Sequence, residues 1–181
     1  MACDITSGFS LGCRDNIGGI ENVYILSGSV TTVTAATGAI SDLSGDGVFY
    51  KFELPRNVGQ FVETPTPSLE NGTVFYSQVV DIAMHKLQAS VRNQVKVLAQ
   101  NPALKIVVET SNGSDDNVGQ FFYIGQYRGA TVTAGSGATG TAVGDANQYA
   151  LTFEAGGEPY PAQEITTSGA LTDALTGITV S

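Results

Sequence analysis

One segment, from Gly59 to Pro102, restricts the fold of this chain more than any other. Near its start lies Thr64-Pro65-Thr66-Pro67, where each proline fixes its own φ, lacks an N–H and disfavours the α region at the preceding residue. No helix can cross such a stretch. Asn71-Gly72 follows and favours the left-handed conformations of a tight turn. The segment therefore predicts a protruding β-hairpin over about residues 59–85.

The second limb of this hairpin leads directly into a helical pattern. Apolar side chains occur on both alternating faces of residues 73–85, which predicts a strand covered on both sides. From about Lys86 the period changes to three and four residues, which is typical of an amphipathic helix. Its apolar positions are Leu87, Val91, Val95 and Leu98. The sequence therefore predicts a helix over about 86–100 that ends at Asn101-Pro102.

The rest of the chain favours a mainly β fold. A length of 181 residues fits a single domain, 1–181, and its 22 glycines and many Thr and Val residues favour strands and turns over helices. Residues 1–20 are predicted to form an N-terminal arm or loop, and 160–181 a C-terminal tail. Short β segments are predicted around Gly38, and residues 119–134 are predicted to form one strand. The aromatic side chains in these strands are expected to pack in the core or at subunit contacts.

The search for chemistry predicts no catalytic, cofactor-binding or metal site, and therefore no enzyme. His85 has no nearby nucleophile or paired carboxylate, so it is interpreted as a junction or interface residue. Cys3 and Cys13 are too far apart for the usual zinc or redox motifs, which leaves two ordinary thiols or, after release into an oxidising medium, a disulfide. Asp46 and Asp115-Asp116 are interpreted as solvated turn residues, because they lack the spacing of a calcium-binding loop.

The charge distribution argues against a surface that binds nucleic acid. The formal net charge is -9, whereas such a surface shows a basic patch. Four basic residues lie in or just after the predicted helix: Lys86, Arg92, Lys96 and Lys105. They are either complementary contacts between identical subunits or an ordinary solvated helix face. With no apolar run of membrane-spanning length and no signal-peptide pattern in residues 1–15, the protein is expected in the cytoplasm, or outside the cell only after lysis.

Several runs of the chain resemble bacteriophage tail tube proteins, especially short ones from phages of the Bacteroidetes group. These are VETPTPSLENGTVFYSQVV, HKLQASVRNQVKVLAQNP, LKIVVET, GQFFYIGQYRGATVT, QYALTFEAGGEPYPA and the N-terminal ACDITSGFSLGCRDNIGGIENVYIL. The resemblance covers most of the chain. It rests on the order and residue pattern of these runs, without a catalytic signature. It implies an antiparallel β-sandwich with a flanking helix. It also implies hexameric rings whose inner strands close a continuous β-barrel, stacked into a tube.

The same resemblance implies the partners and location of the protein. Copies of the chain would bind one another, and the tube would contact a terminator, baseplate or sheath protein in the virion tail, after assembly in the host bacterial cytoplasm. DNA would pass through the lumen without specific binding, and no membrane is involved. Two related alternatives share the fold: a tail terminator or head–tail completion protein, and a tube subunit of a contractile injection or secretion system. An enzyme would require a constellation of residues that the sequence lacks.

Overall fold

The computed structural model describes residues 7–10, 16–36, 38–113, 119–167 and 169–181, and within these ranges the chain folds into β-strands with one α-helix. Within these residues no helix is long and apolar enough to cross a membrane. The mainly β class and the single helix are as predicted. In chain order the elements are β1 (Ile20–Ala36), β2 (Ala39–Glu53), β3 (Gln60–Ser68), β4 (Thr73–His85), α1 (Ala89–Gln100), β5 (Ile106–Gly113), β6 (Gly119–Ile124), β7 (Thr131–Ala138), β8 (Gln148–Glu158), β9 (Gln163–Ile165), a 3-10 helix (Leu171–Ala174) and β10 (Leu175–Val180).

Five strands close into a barrel in the order β1-β5-β6-β9-β2, and pairing of β2 with β1 completes the circle. β10 adds to β2 beyond the barrel. β9 and β10 run parallel to β2, so the antiparallel expectation is wrong for these two pairs. The reason is that both strands start near the turn of the β1–β2 hairpin, β9 opposite Ala39 and β10 opposite Leu43, and then follow β2 in its own direction.

A second sheet, in the order β3-β4-β8-β7, packs against the barrel. Its core-facing side chains, such as Val80 and Phe153, meet barrel residues such as Ile106 in one apolar cluster. The alternate barrel residues form a second cluster, which includes Phe49, Phe121 and Tyr123. Because successive side chains of a strand point to opposite faces, the two clusters occupy the two sides of the barrel wall. The expected core role of these aromatic residues is thereby confirmed.

The predicted hairpin is present as β3 and β4, joined by a turn over residues 69–72 in which Gly72 has a φ of 60°. The middle of β4 is buried at Val80, Ile82 and Ala83. Its first residues are exposed, including Val74 and Phe75. The prediction that β4 is covered on both sides is therefore correct for the half of the strand that crosses the core and wrong for the half that projects beyond it.

The helix starts three residues later than predicted, at Ala89. β4 continues to His85, and Lys86 then takes a φ of 70° while its N–H donates to the carbonyl of Asn147. This left-handed residue turns the chain, so the helical backbone cannot begin before it. Of the predicted apolar positions, Leu98 is buried, whereas Leu87, Val91 and Val95 are half-buried.

The predicted single strand over 119–134 is wrong, because it forms β6 and β7 in different sheets. Gly125 and Gly129 have φ values of 71° and 81° at the turn between them. A Cβ at Gly129 would lie 2.7 Å from the Cα of Ala103, so no larger side chain fits there. Left-handed glycines in close contact with neighbouring backbone thus redirect the chain.

Residues 20–53 form one long hairpin, in which the short β segments predicted around Gly38 are the ends of β1 and β2. Residues 7–10 and 16–19 contain no helix or strand, which agrees with a loop. The region 160–181, treated above as a tail, contains β9, the 3-10 helix and β10. Cys3, Cys13 and Asp115-Asp116 lie outside the described residues, and Asp46 lies in β2 opposite Ser29.

Two neighbouring helix positions test whether α1 depends on its packing. Replacing Leu98 by Ala should lower the free energy of unfolding by about 2–3 kcal/mol, because a buried leucine leaves a cavity. Val97 is exposed, so Val97→Ala should change it by less than about 0.5 kcal/mol. Urea unfolding of both variants measures the difference. Equal stabilities would show that α1 does not pack on the core.

Candidate assembly surfaces

The outer edge of β7 is open. β7 pairs with β8 on one side, and within the described residues no strand pairs with its other side. The sequence of β7, TVTAGSGA, contains no charge and no proline, and its last six residues are exposed. Native proteins usually protect a free edge with charges, prolines, bulges or a covering element, because an unpaired row of N–H and C=O groups pairs with other chains. This edge has neither charges nor prolines, although its ladder with β8 is irregular between Val132 and Ala134, Leu104 bridges Ala130 just before the strand, and α1 contacts β7.

The far half of β1 offers a second edge of the same kind. β5 pairs with β1 only as far as Ile25, and the N–H of Leu26 donates to the carbonyl of Lys105. Beyond this point, over residues 27–36, β1 pairs only with β2 among the described parts of the chain. The sequence SGSVTTVTAA is uncharged and mostly exposed. We call residues 27–36 the distal β1 edge.

The outer edge of β3 differs from these two edges, because Pro65 and Pro67 lie in it. Both prolines are in full register with β4, opposite Tyr76 and Val74. Proline has no N–H, and it is tolerated in an edge strand where its nitrogen faces away from the neighbouring strand. The outer edge of β3 therefore lacks two donors near the hairpin tip, and a further strand cannot form a regular ladder there.

The tip of the β3–β4 hairpin is an exposed turn with one large apolar side chain, Leu69. Leu69 is 99% exposed and Glu70 follows it, while Val74 on the adjoining strand is half exposed. The side chain of Asn71 donates to Ser68 Oγ at 3.2 Å, which closes the turn locally. Leu69 does not pack on its own chain, and with the exposed Val74 and Phe75 beside it the end of the hairpin is a candidate contact with another molecule.

A groove of about 640 Å³ lies between the end of β2 and α1. Its apolar lining comes from Phe52, Leu54, Pro55, Met84 and Val91. Polar and charged lining residues are Lys51, Glu53, His85, Lys86, Ser90 and Gln94. We call this the β2–α1 groove. His85, interpreted from the sequence as a junction or interface residue, is exposed at the end of β4 and lines this groove.

A buried polar network holds the turn between β6 and β7. Glu158 is 1% exposed, and it accepts hydrogen bonds from the backbone N–H groups of Tyr127 at 3.0 Å and Arg128 at 2.7 Å. The Gln78 side chain, 2% exposed, accepts from the N–H of Gly125 at 3.1 Å. Because Gln78 and Glu158 belong to the second sheet and the turn follows a barrel strand, the network joins the two layers.

Lys105 completes this network from the barrel side. Its Nζ donates to the carbonyls of Gly125 at 2.6 Å and Gln126 at 3.1 Å. Burial lowers the pKa of Lys105, and the negative charge of Glu158 partly opposes that shift. Lys105 is therefore a structural residue, not part of a basic surface. Sequence reasoning missed the network, although one signal was present: Gln78 is a polar residue at a core-facing position between Tyr76 and Val80.

Charged side chains elsewhere form local hydrogen bonds without a metal-binding arrangement. Hydrogen bonds from the hydroxyls of Ser44 and Thr176 lower the pKa of Asp42, and the N–H groups of Ala142 and Thr141 lower that of Asp145. Within the described residues, no three His, Cys, Asp or Glu side chains are placed to hold a metal ion.

Comparison with models of protein families, with curated proteins and with solved structures found no match.

Proposed function

We propose that the protein is a structural virion subunit that self-assembles into stacked rings and forms the tube of a bacteriophage tail. The observation that carries the proposal is the pair of long uncharged sheet edges, β7 and the distal β1 edge. An exposed uncharged edge is a template for pairing with another chain, so both edges favour a partner strand. In the proposed ring, β7 of one copy pairs with the distal β1 edge of the next.

Pairing of two different edges is a heterologous contact, which produces a ring when the rotation between neighbours closes. The number six comes from the resemblance to tail tube proteins. The β3 edge would take no part in this lateral pairing near its tip, because Pro65 and Pro67 remove the donors that a ladder needs. Pairing of β7 with the distal β1 edge would define one direction around the ring, and β10, which also ends its sheet and has the uncharged sequence LTGITV, takes no part in this pairing.

The proposed role is that of a passive conduit for DNA, with no catalytic activity and no cofactor. Two features support a rigid subunit: the closed barrel, and the buried network of Gln78, Glu158 and Lys105 that joins the barrel to the second sheet. The tube would belong to the virion tail and contact terminator, baseplate or sheath proteins at its ends or outer surface.

Negative-stain microscopy of concentrated purified protein, together with sizing, tests this function. Tubes built from stacked rings are the expected result. A single closed ring that never extends would favour the tail terminator or head–tail completion role. A monomer at every concentration would overturn the proposal. Microscopy of the source particle would separate a phage tail from a contractile injection or secretion system.

The conduit should have no measurable affinity for double-stranded DNA. The net charge of -9 disfavours attraction to phosphate, and counterion release at basic contacts would otherwise give salt-dependent binding. A gel-shift titration at low salt is the stringent test, because electrostatic attraction is least screened there. A shift at micromolar protein that disappears with added salt would contradict a passive conduit.

A further inference from the structure

We propose that the Leu69–Glu70 hairpin tip of one copy inserts into the β2–α1 groove of a second copy, and that this contact stacks one ring on the next. The inference deepens the proposed function and rests on it for the setting of stacked rings. The tip exposes Leu69 and the groove has a mainly apolar lining, and within the described residues neither is covered by another part of the chain.

Strand β4 connects the two features. Thr73 at its start adjoins the tip, and Met84 and His85 at its end line the groove. The strand has 13 residues, and at about 3.3 Å per residue it spans roughly 40 Å. The tip and the groove therefore lie at opposite ends of one rigid element. A translation along β4 brings the tip of one copy to the groove of another.

The chemistry of the two surfaces is complementary. The Leu69 side chain would leave water for a groove lined by Phe52, Leu54 and Met84, which is the favourable direction for an apolar group. Glu70 would then approach Lys86, which is exposed in the groove lining, whereas Lys51 in the same lining is already paired with Glu53 at 3.3 Å. Pairing of Glu70 with Lys86 would fix the orientation of the tip and disfavour tip-to-tip contacts, because like charges would meet there.

The tip is also preorganised for insertion. Its turn is fixed by the Asn71 to Ser68 hydrogen bond and by the left-handed Gly72, and the strand behind it is stiffened by Pro65 and Pro67. Little conformational freedom is lost when such a turn binds, so less of the contact energy is spent on ordering it. The same prolines that close the β3 edge thus support the projecting tip.

The geometry has a measurable consequence for the assembly. A tip-to-groove contact joins different surfaces and does not close on itself, so it propagates along an axis. The rise between successive rings should not exceed roughly 40 Å, the length of β4, and should be shorter if the strand is tilted from the axis. Power spectra of tube images measure this repeat. A repeat well above that length would overturn the contact.

The first variant tests the apolar part of the contact. Leu69→Asp should weaken ring stacking by about tenfold or more, because the apolar burial is lost and a charge enters the groove. The control is Val143→Asp, which places the same charge at another fully exposed loop position. Both variants should unfold at the wild-type temperature, since neither side chain packs on its own chain. Tube length as a function of protein concentration reports the stacking.

The second experiment tests the charge pairing by exchange. Glu70→Lys and Lys86→Glu should each shorten or abolish tubes, and the double variant in one chain should restore them. Asp173→Lys and Lys96→Glu are controls with the same charge changes at exposed positions outside the tip and groove. Rings that stack equally well in Leu69→Asp, Glu70→Lys and wild type would overturn this inference and leave the ring proposal intact. A wild-type chain that forms no rings would overturn the proposed function instead.

Discussion

Replacing Glu158 by Ala should lower the free energy of unfolding by about 3–5 kcal/mol, the scale expected when one partner of a buried charged network is removed. The carboxylate is almost fully buried and accepts the N–H groups of Tyr127 and Arg128. Without it, both donors would remain buried without acceptors, and Lys105 would lose the nearby negative charge that favours its charged form. Urea unfolding at neutral pH measures the loss.

A more conservative change at the same position separates the hydrogen bonds from the charge. Glu158→Gln keeps one oxygen acceptor but presents an NH₂ group to the second N–H donor, so its loss should be smaller than that of Glu158→Ala. A matched control is Glu70→Gln at the exposed hairpin tip, which removes the same charge and should leave stability unchanged within about 0.5 kcal/mol. If Glu158→Ala is no less stable than the tip control, the network does not hold the two layers together.

The predictable parts of this fold are those determined by neighbouring residues. The β3–β4 hairpin follows from the restriction that Pro65 and Pro67 place on the backbone and from the turn at Asn71-Gly72. The helix follows from the spacing of Val91, Val95 and Leu98, although its start depends on the left-handed Lys86. That conformation is set by a hydrogen bond to Asn147, which lies 61 residues further along the chain. Local patterns contain no signal for it.

Barrel closure and the parallel strands depend on contacts between distant residues. β10 pairs with β2 across more than a hundred residues, and nothing in LTGITV indicates either the partner or the direction. The same limit applies to the candidate surfaces. The distal β1 edge and residues 131–134 of β7 are readable as strands, whereas the glycine-rich GSGA that ends β7 is not, and only the sheet order shows that the outer edges are open. Lys105 looked like part of a basic helix region, whereas its ammonium group donates to the turn at Gly125.

Two lysines on the β7 edge should abolish ring formation while leaving the subunit folded. Ala134 and Ser136 are exposed on this edge strand, so Ala134→Lys/Ser136→Lys should cost the isolated chain little. In the proposed ring these positions lie beside the distal β1 edge, which offers no acidic side chain to pair with them. Lysine is the residue that native edge strands use most often to prevent pairing with another chain. Sizing and negative-stain microscopy should therefore show folded monomers without rings or tubes.

Acidic residues placed on the distal β1 edge test whether this edge is the partner of β7. Thr32 and Thr34 are exposed on the distal β1 edge, and Thr32→Glu/Thr34→Glu should also prevent rings when present alone. Combining both pairs of changes in one chain places lysines on one lateral edge and glutamates on the other, and cross-strand pairs of opposite charge stabilise a sheet. Rings should then return. A matched control with two lysines in the neighbouring loop, Thr139→Lys/Val143→Lys, adds the same charge and should assemble normally. If the β7 lysine variant forms rings as readily as this control, lateral assembly does not use the β7 edge. Loss of rings that the glutamates fail to restore would assign β7 a different partner strand.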